Sequence, residues 1–243
     1  KEKKRDLLIE VYGYAINSKT NKFEDFFFQE LKIPSSVHSK LAAGGLKYFD
    51  MLFLPKGEYK IKCIVRESEV GNISSSIRYI TVPDFGKDFS LSGPVFVEQG
   101  KDWLLTRGFN PTNPGIRKKG MPLSYPYNIN GADFVPVFTP VFTGEAHPLI
   151  FVKLYNLVLH PEANLPQTKM KFEVINEQGE AMSLRYIGLA QQHMDQEKGE
   201  YRLLFVEDFT REKLAPGWYQ LKFTLEDSLA KKSISGNSSF IVQ

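Results

Sequence analysis

With 243 residues, the chain has room for one large domain or two ordinary ones. Its apolar fraction of 42% supports sizeable cores, and 19 Phe with 11 Tyr suit strands better than helices. A net charge of +3, with the lysines spread along the chain, argues against the basic footprint of a nucleic-acid binder. No run approaches the roughly 18 apolar residues of a membrane span, so this segment is not expected to insert into a bilayer.

The opening "KEKKRD" has the charge of a signal-peptide n-region, but the following "LLIEVYGYAI" contains Glu10 and alternates like a strand. A chain that begins with Lys is read here as part of something longer, or as a processed protein. Strand-like runs follow at residues 7–16, 23–33, 46–54, 57–67 and 73–82. Between them "SSVHSKLAAGG" predicts a helical turn or two, stopped by Gly44 and Gly45. The Pro/Gly/Asp break "PDFGKD" then marks an interdomain joint. Short strands at 94–97 and 102–106 lead into a long irregular passage at 107–133. Strands resume at 135–142, 149–159, 169–176, 181–190, 200–207, 218–226 and 233–242. Many short strands with turn signals at this spacing predict β-sandwiches.

One phrase occurs twice. "LPKGEYKIKCIVRES" and "LAPGWYQLKFTLEDS" run in step at one constant offset: Gly57 meets Gly217, Tyr59 meets Tyr219, and Lys62 meets Lys222. The register still holds at Val82 and Val242. Each copy alternates, with Tyr59, Ile61, Cys63 and Val65 on one side, and Tyr219, Leu221, Phe223 and Leu225 likewise. A period of two is the mark of a half-buried strand. Each copy then turns into a second strand, so the same closing hairpin is used twice. Tyr59 and Tyr219 stand two residues after a turn glycine, where the tyrosine corner of an immunoglobulin-like sandwich belongs. Cys63, the single cysteine, rules out an internal disulfide framework and is expected on the inward face as a small buried hydrophobe.

The strings "GLKYFDMLFLPKGEYKIKCIVRESEVGNISSSIRYITVPDF", "LSGPVFVEQG" and "GADFVPVFTPVFTGEAHPLIFVKLYNL" resemble the region that follows the von Willebrand factor A domain in bacterial VWFA-related proteins of the Acidobacteria type. The likeness covers roughly residues 45–157 and does not include the VWFA domain itself. It implies an exported protein (periplasmic, cell-surface or secreted) with an adhesion-type domain upstream. It supplies no functional residues, because the metal-binding loop of that family lies in the upstream domain.

Catalytic patterns are missing. "DFSLS" at 88–92 spells a metal-ion-dependent adhesion site, but that chemistry needs the carboxyl end of a parallel strand, and no βα alternation surrounds it. His38, His147, His160 and His193 are scattered and lack metal-ligand spacing. No nucleophile elbow or phosphate-cradling glycine loop occurs, so no enzyme, metal or cofactor is expected. The oddity is the passage at 107–133, since unstructured loops of that length are usually functional. Phe109, Tyr125 and Tyr127 with Arg117, Lys118 and Lys119 form the candidate contact surface for a protein partner or a polysaccharide. A packed insertion that buries its own aromatics is the competing reading.

The sequence therefore predicts an all-β chain of two tandem immunoglobulin-like or fibronectin-type antiparallel β-sandwiches. The first spans 1–84 and is short of a strand or two; the larger second spans 88–243 and carries the loop. The expected role is non-enzymatic: a binding or spacer module for protein contact or adhesion, with carbohydrate binding as the alternative.

Overall fold

A computed structural model of the chain describes residues 5–84, 86, 89–99, 103–108, 125–129, 131–143, 147–163, 166–188, 195–197, 200–206 and 214–243. The protein is an all-β chain. In order, the first elements are β1 (Leu7–Asn17), β2 (Phe23–Ile33), a short 3-10 turn (Ser35–Val37), α1 (His38–Gly44), β3 (Leu46–Phe49), β4 (Gly57–Glu67) and β5 (Ile73–Val82). Then come β6 (Ser90–Glu98), β7 (Leu104–Arg107), β8 (Asn128–Ile129), β9 (Ala132–Asp133), β10 (Val135–Pro136) and β11 (Val141–Phe142). The chain finishes with β12 (Leu149–Tyr155), β13 (Thr168–Asn176), β14 (Ala181–Gly188), β15 (Asp195–Glu197), β16 (Glu200–Val206), β17 (Gly217–Asp227) and β18 (Lys232–Val242).

Two compact units result, and neither is continuous in sequence. The first takes 1–84 with 100–126, the second 85–99 with 127–243. The crossing near residue 84 falls where the Pro/Gly/Asp break lies. The expected assignment of everything after 88 to the second domain does not hold, because β7 pairs in parallel with β3, Leu46 opposite Leu104 through Phe49 opposite Arg107. Backbone pairing thus returns β7, the strand that leads into the long passage, to the first unit.

The first unit is built on one four-stranded antiparallel sheet in the order β2-β1-β4-β5. Alternation along β1 sends Ile9, Val11, Gly13 and Ala15 to one face. There Val11 packs with Phe27 and Leu31, under Leu46, Tyr48 and Leu52. Gly13 has a definite reason to be glycine: the Phe27 ring from the neighbouring strand fills the space its side chain would occupy. The layer of β3 covers the β1–β2 half of this inner face. Among the described residues the far part of the β4–β5 half is open, with Val65 42% and Ile80 40% exposed, while Tyr59 at the start of β4 is buried. Cys63 is therefore exposed, not the buried hydrophobe that alternation alone predicted.

The second unit is a two-layer sandwich. One sheet has the order β10-β6-β12-β16-β15, the other β11-β18-β17-β13-β14. Their inner faces supply one core, with Phe96, Ile150, Val152 and Leu154 set against Met170, Phe172, Leu221, Phe223, Leu225 and Phe240. Where Gly236 of β18 meets the backbone of Gly93 of β6, the layers leave no room for a side chain. Asp227, buried at 1% exposure, is satisfied by backbone: its carboxylate accepts from the N–H groups of Leu229, Ala230 and Val158.

The repeat seen in the sequence extends to a whole sheet. The order β5-β4-β1-β2 in the first unit is matched by β18-β17-β13-β14 in the second. Asn17 faces Tyr59 across one sheet as Asn176 faces Tyr219 across the other. Both asparagines close a hairpin in the same way, Oδ1 accepting from Lys19 and Thr20 N–H in one and from Gln178 and Glu180 N–H in the other.

Candidate functional site

The two corner tyrosines stand in equivalent places. The Tyr59 hydroxyl donates to the Pro55 carbonyl at 2.9 Å, and that of Tyr219 to the Ala215 carbonyl at 2.8 Å. Tyr59 is 1% exposed, and the Tyr219 ring stacks on Phe240 with centroids 5.5 Å apart. Each ties the approach loop to the start of its strand, which is a structural task.

The candidate contact surface of the long passage is not an open one where it is described. Tyr125 is 4% exposed, packed edge-on to Phe49 at 5.0 Å with the Arg107 guanidinium 5.3 Å from its ring centre. Tyr127 lies against the core of Val97, Phe134 and Phe151, meeting Phe151 edge-on at 5.0 Å. Burial pushes its phenol above the ordinary value. Both tyrosines bury their rings because each finds an aromatic partner within its own unit. Phe109, Arg117, Lys118 and Lys119 lie outside the described residues, as do Asp88 and His193.

Among the described residues no group of three or more His, Cys, Asp or Glu side chains could hold a metal. His160 serves its own turn, its Nδ1 accepting from the N–H groups of Glu162 and Ala163. A shallow cleft of ≈ 250 Å³ at the end of the first sheet is lined by Leu7, Ile9, Val65, Glu67, Asn72, Ile73 and Ser74. That is smaller than the roughly 300–1,000 Å³ of small-molecule sites.

The surface that stands out is the outer face of the first sheet. The residues on this face follow from register alone. Phe28, Tyr12, Ile64 and Ser75 form one row across β2, β1, β4 and β5; Phe26, Tyr14, Lys62 and Ile77 form the next. Phe23, Ile16, Lys60 and Tyr79 form a third. Much of this is in solvent: Phe23 is 58% exposed, Phe28 42% and Tyr79 73%. Exposed apolar groups gathered on one face mark interaction sites more often than scattered ones do.

The rings on this face use their flat sides on one another. Tyr12 and Phe28 are stacked with centroids 4.7 Å apart and planes 28° apart, and Tyr14 stacks on Phe23 at 6.4 Å and 29°. Phe23 also leans on Phe26 at 5.7 Å. One end of the face is pinned by Glu10. Its carboxylate accepts from the Tyr12 hydroxyl at 2.8 Å, the Ser68 hydroxyl at 3.1 Å and the Arg66 guanidinium at 3.4 Å. These donors, Tyr12 first, hold the Glu10 carboxyl below its usual range, and the same bond raises the Tyr12 phenol. This face was missed in the sequence. Its signal is "YGYAI" and "FFF": Tyr12 and Tyr14 occupy the polar phase of β1, and three successive Phe must send at least one ring outward.

No family model matches the chain, and no curated protein matches it. Solved structures do. A family 123 glycoside hydrolase from Clostridium perfringens aligns with 44% of this chain and 22% of its own, at 12% identity and a TM-score of 0.29. The β-glucuronidase of Parabacteroides merdae aligns over 98% of this chain and 25% of its own, at 7% identity and a TM-score of 0.29. The fibronectin(III)-like modules of Clostridium thermocellum CbhA align over 100% and 80%, at 12% identity and a TM-score of 0.23. The chain spans a quarter or less of the two enzymes it matches. At these scores the likenesses decide nothing about this chain.

Proposed function

We propose that this chain is a non-enzymatic binding and spacer module of an exported bacterial protein, and that it engages a protein partner through the outer face of its first sheet. Export and adhesion rest on the resemblance to VWFA-related proteins. The binding surface rests on one observation, the exposed Phe23, Phe26 and Phe28 on a formed sheet, stacked with the half-buried Tyr12 and Tyr14. A sugar ring needs a free aromatic face to lie on, and these rings spend their faces on each other. What they present outward is an apolar ridge with Lys60 and Lys62 beside it, which suits a protein surface with apolar and acidic side chains.

Carbohydrate binding is the second reading, favoured by Tyr79, which is 73% exposed in the row of Phe23 and Ile16. Two variants separate the readings. Phe26→Ser with Phe28→Ser strips the ridge, and Tyr79→Ala removes the one ring a sugar would use. Capture of surface proteins from the source organism, lost in the double variant and kept in Tyr79→Ala, supports the protein reading. Retardation in gels containing soluble polysaccharides, lost in Tyr79→Ala, supports the other and overturns the first.

A further inference from the structure

The two copies of the four-stranded sheet are covered unequally. In the second unit the layer over this sheet is made by β6, β12 and β16. The inward residues of β12, Ile150, Val152 and Leu154, are all fully buried there. In sequence β16 lies between the two hairpins of the sheet it covers, β13–β14 and β17–β18, and β3 lies likewise between β1–β2 and β4–β5. Each sets an aromatic ring on the sheet below: Phe205 of β16 meets Phe172 at 5.1 Å, and Tyr48 of β3 meets Phe27 at 5.8 Å. β3 is therefore the counterpart of β16. Among the described residues β6 and β12 have none.

The difference shows in matched residues. Phe223 and Leu225 are 0% exposed, whereas Cys63 and Val65, in their places, stand in solvent. The shallow cleft lined by Leu7, Ile9, Val65 and Ser74 opens on the same part of the face. β7 does not take the place of β12. It runs parallel to β3, while β12 runs antiparallel to β16, and it leaves Cys63 exposed. The place of β6 has changed in character. In the second unit β6 rests its backbone on Gly236 and its Phe96 ring on Phe240. In the first sheet Ser76 and Arg78 stand where Gly236 and Ser238 do, and neither suits a close apolar cover. What is both apolar and open is the width of one strand, over β1 and β4.

We propose that this inner face is the docking site for one further strand, the counterpart of β12, running antiparallel beside β3. β12 enters the second unit directly before β13, so its counterpart belongs directly before β1, in polypeptide upstream of Lys1. The second unit names the occupant, because there a strand of this same chain covers the matching residues with alternating apolar side chains. Removing apolar surface from water on both partners drives the docking. Since β3 already covers Val11 and Phe27, the sheet stands without the added strand. Cys63 and Val65 answer to what docks on them rather than to folding.

Cys63, on the open part of the face, is the native reporter. In the 243-residue chain, iodoacetamide is expected to label it within about tenfold of its rate in the urea-unfolded chain. In the same polypeptide extended upstream of Lys1 by its natural sequence, labelling read on the Cys63 peptide is expected to slow at least about 100-fold, as for a core position. Val65→Lys is expected to leave the urea midpoint of the 243-residue chain unchanged. In the extended protein the same charge is buried, and labelling is expected to recover at least about tenfold. Equal labelling of the two proteins overturns the proposal, as does protection that Val65→Lys leaves intact. Protection of the 243-residue chain that rises with its own concentration gives the face to a second copy. An upstream sequence with no alternating apolar strand leaves no donor, and either result also overturns it.

Discussion

Phe223 and Cys63 occupy the same position in the two copies of the sheet, and truncating both to Ala measures what the opposing layer contributes. Phe223 is 0% exposed and meets Phe172 edge-on at 5.0 Å in the closed core of the sandwich. Losing the ring there leaves a cavity that the surrounding layers fill only in part, at a cost of about 3–5 kcal/mol. The aromatic pair accounts for about 0.5–1.5 kcal/mol of this. Domains of this kind hold about 5–15 kcal/mol in all, so the loss is a large share of the whole. Cys63 lies on the uncovered half of its sheet, and its truncation is expected to stay within about 0.5 kcal/mol, as for other surface changes. Urea unfolding followed by circular dichroism reads both variants, and the emission of Trp218, on the same strand as Phe223, reports the second unit. A cost above about 1 kcal/mol for Cys63→Ala, or below that for Phe223→Ala, would show that the two inner faces are not covered as described.

Three further outcomes follow from the geometry. Tyr59→Phe and Tyr219→Phe each leave a loop carbonyl without its donor and are expected to lower stability by about 1–3 kcal/mol in thermal or urea melts; two silent variants would refute the corner role. Gly13→Ala drives a methyl into the Phe27 ring and is expected to cost about 1–3 kcal/mol, with Phe27→Leu in the same chain recovering part of it. Glu10 has a folded-state pKa held below its ordinary 4.5, so its bonds stabilise the fold above that value and are lost as the pH falls through the lower, folded one. Glu10→Gln is accordingly expected to flatten the acid limb of an unfolding titration, and an unchanged limb would count against the Tyr12–Glu10–Ser68 linkage.

Much of the fold was legible in the sequence because strand alternation leaves its period in the letters. The hairpins at Tyr59 and Tyr219 were found that way, and the turn residues between strands placed most elements. Alternation reports which residues share a face, however, and not whether anything covers it. Cys63 looked inward and is exposed, because β3 reaches only the β1–β2 half of its sheet. The wider repeat is not legible in the letters, since Asn17 and Asn176 match through turn geometry while their flanking residues differ. Tyr125 is a candidate contact because loop aromatics resemble binding residues; its ring instead finds Phe49, a partner far away in sequence, as the competing packed-insertion reading expects. The outer face of Tyr12, Phe26 and Phe28 was visible only as a surplus of apolar letters in the polar phase.

The duplicated sheet has an evolutionary corollary. In one copy the inward positions are locked, since Leu221, Phe223, Leu225 and Phe240 all support a sealed interior and tolerate little exchange. In the other, the corresponding Ile61, Cys63, Val65 and Ile80 can drift with little penalty to folding. A randomised library built on the first copy should therefore yield far more folded variants than the same library built on the second, making the first sheet the natural place for new affinities to arise.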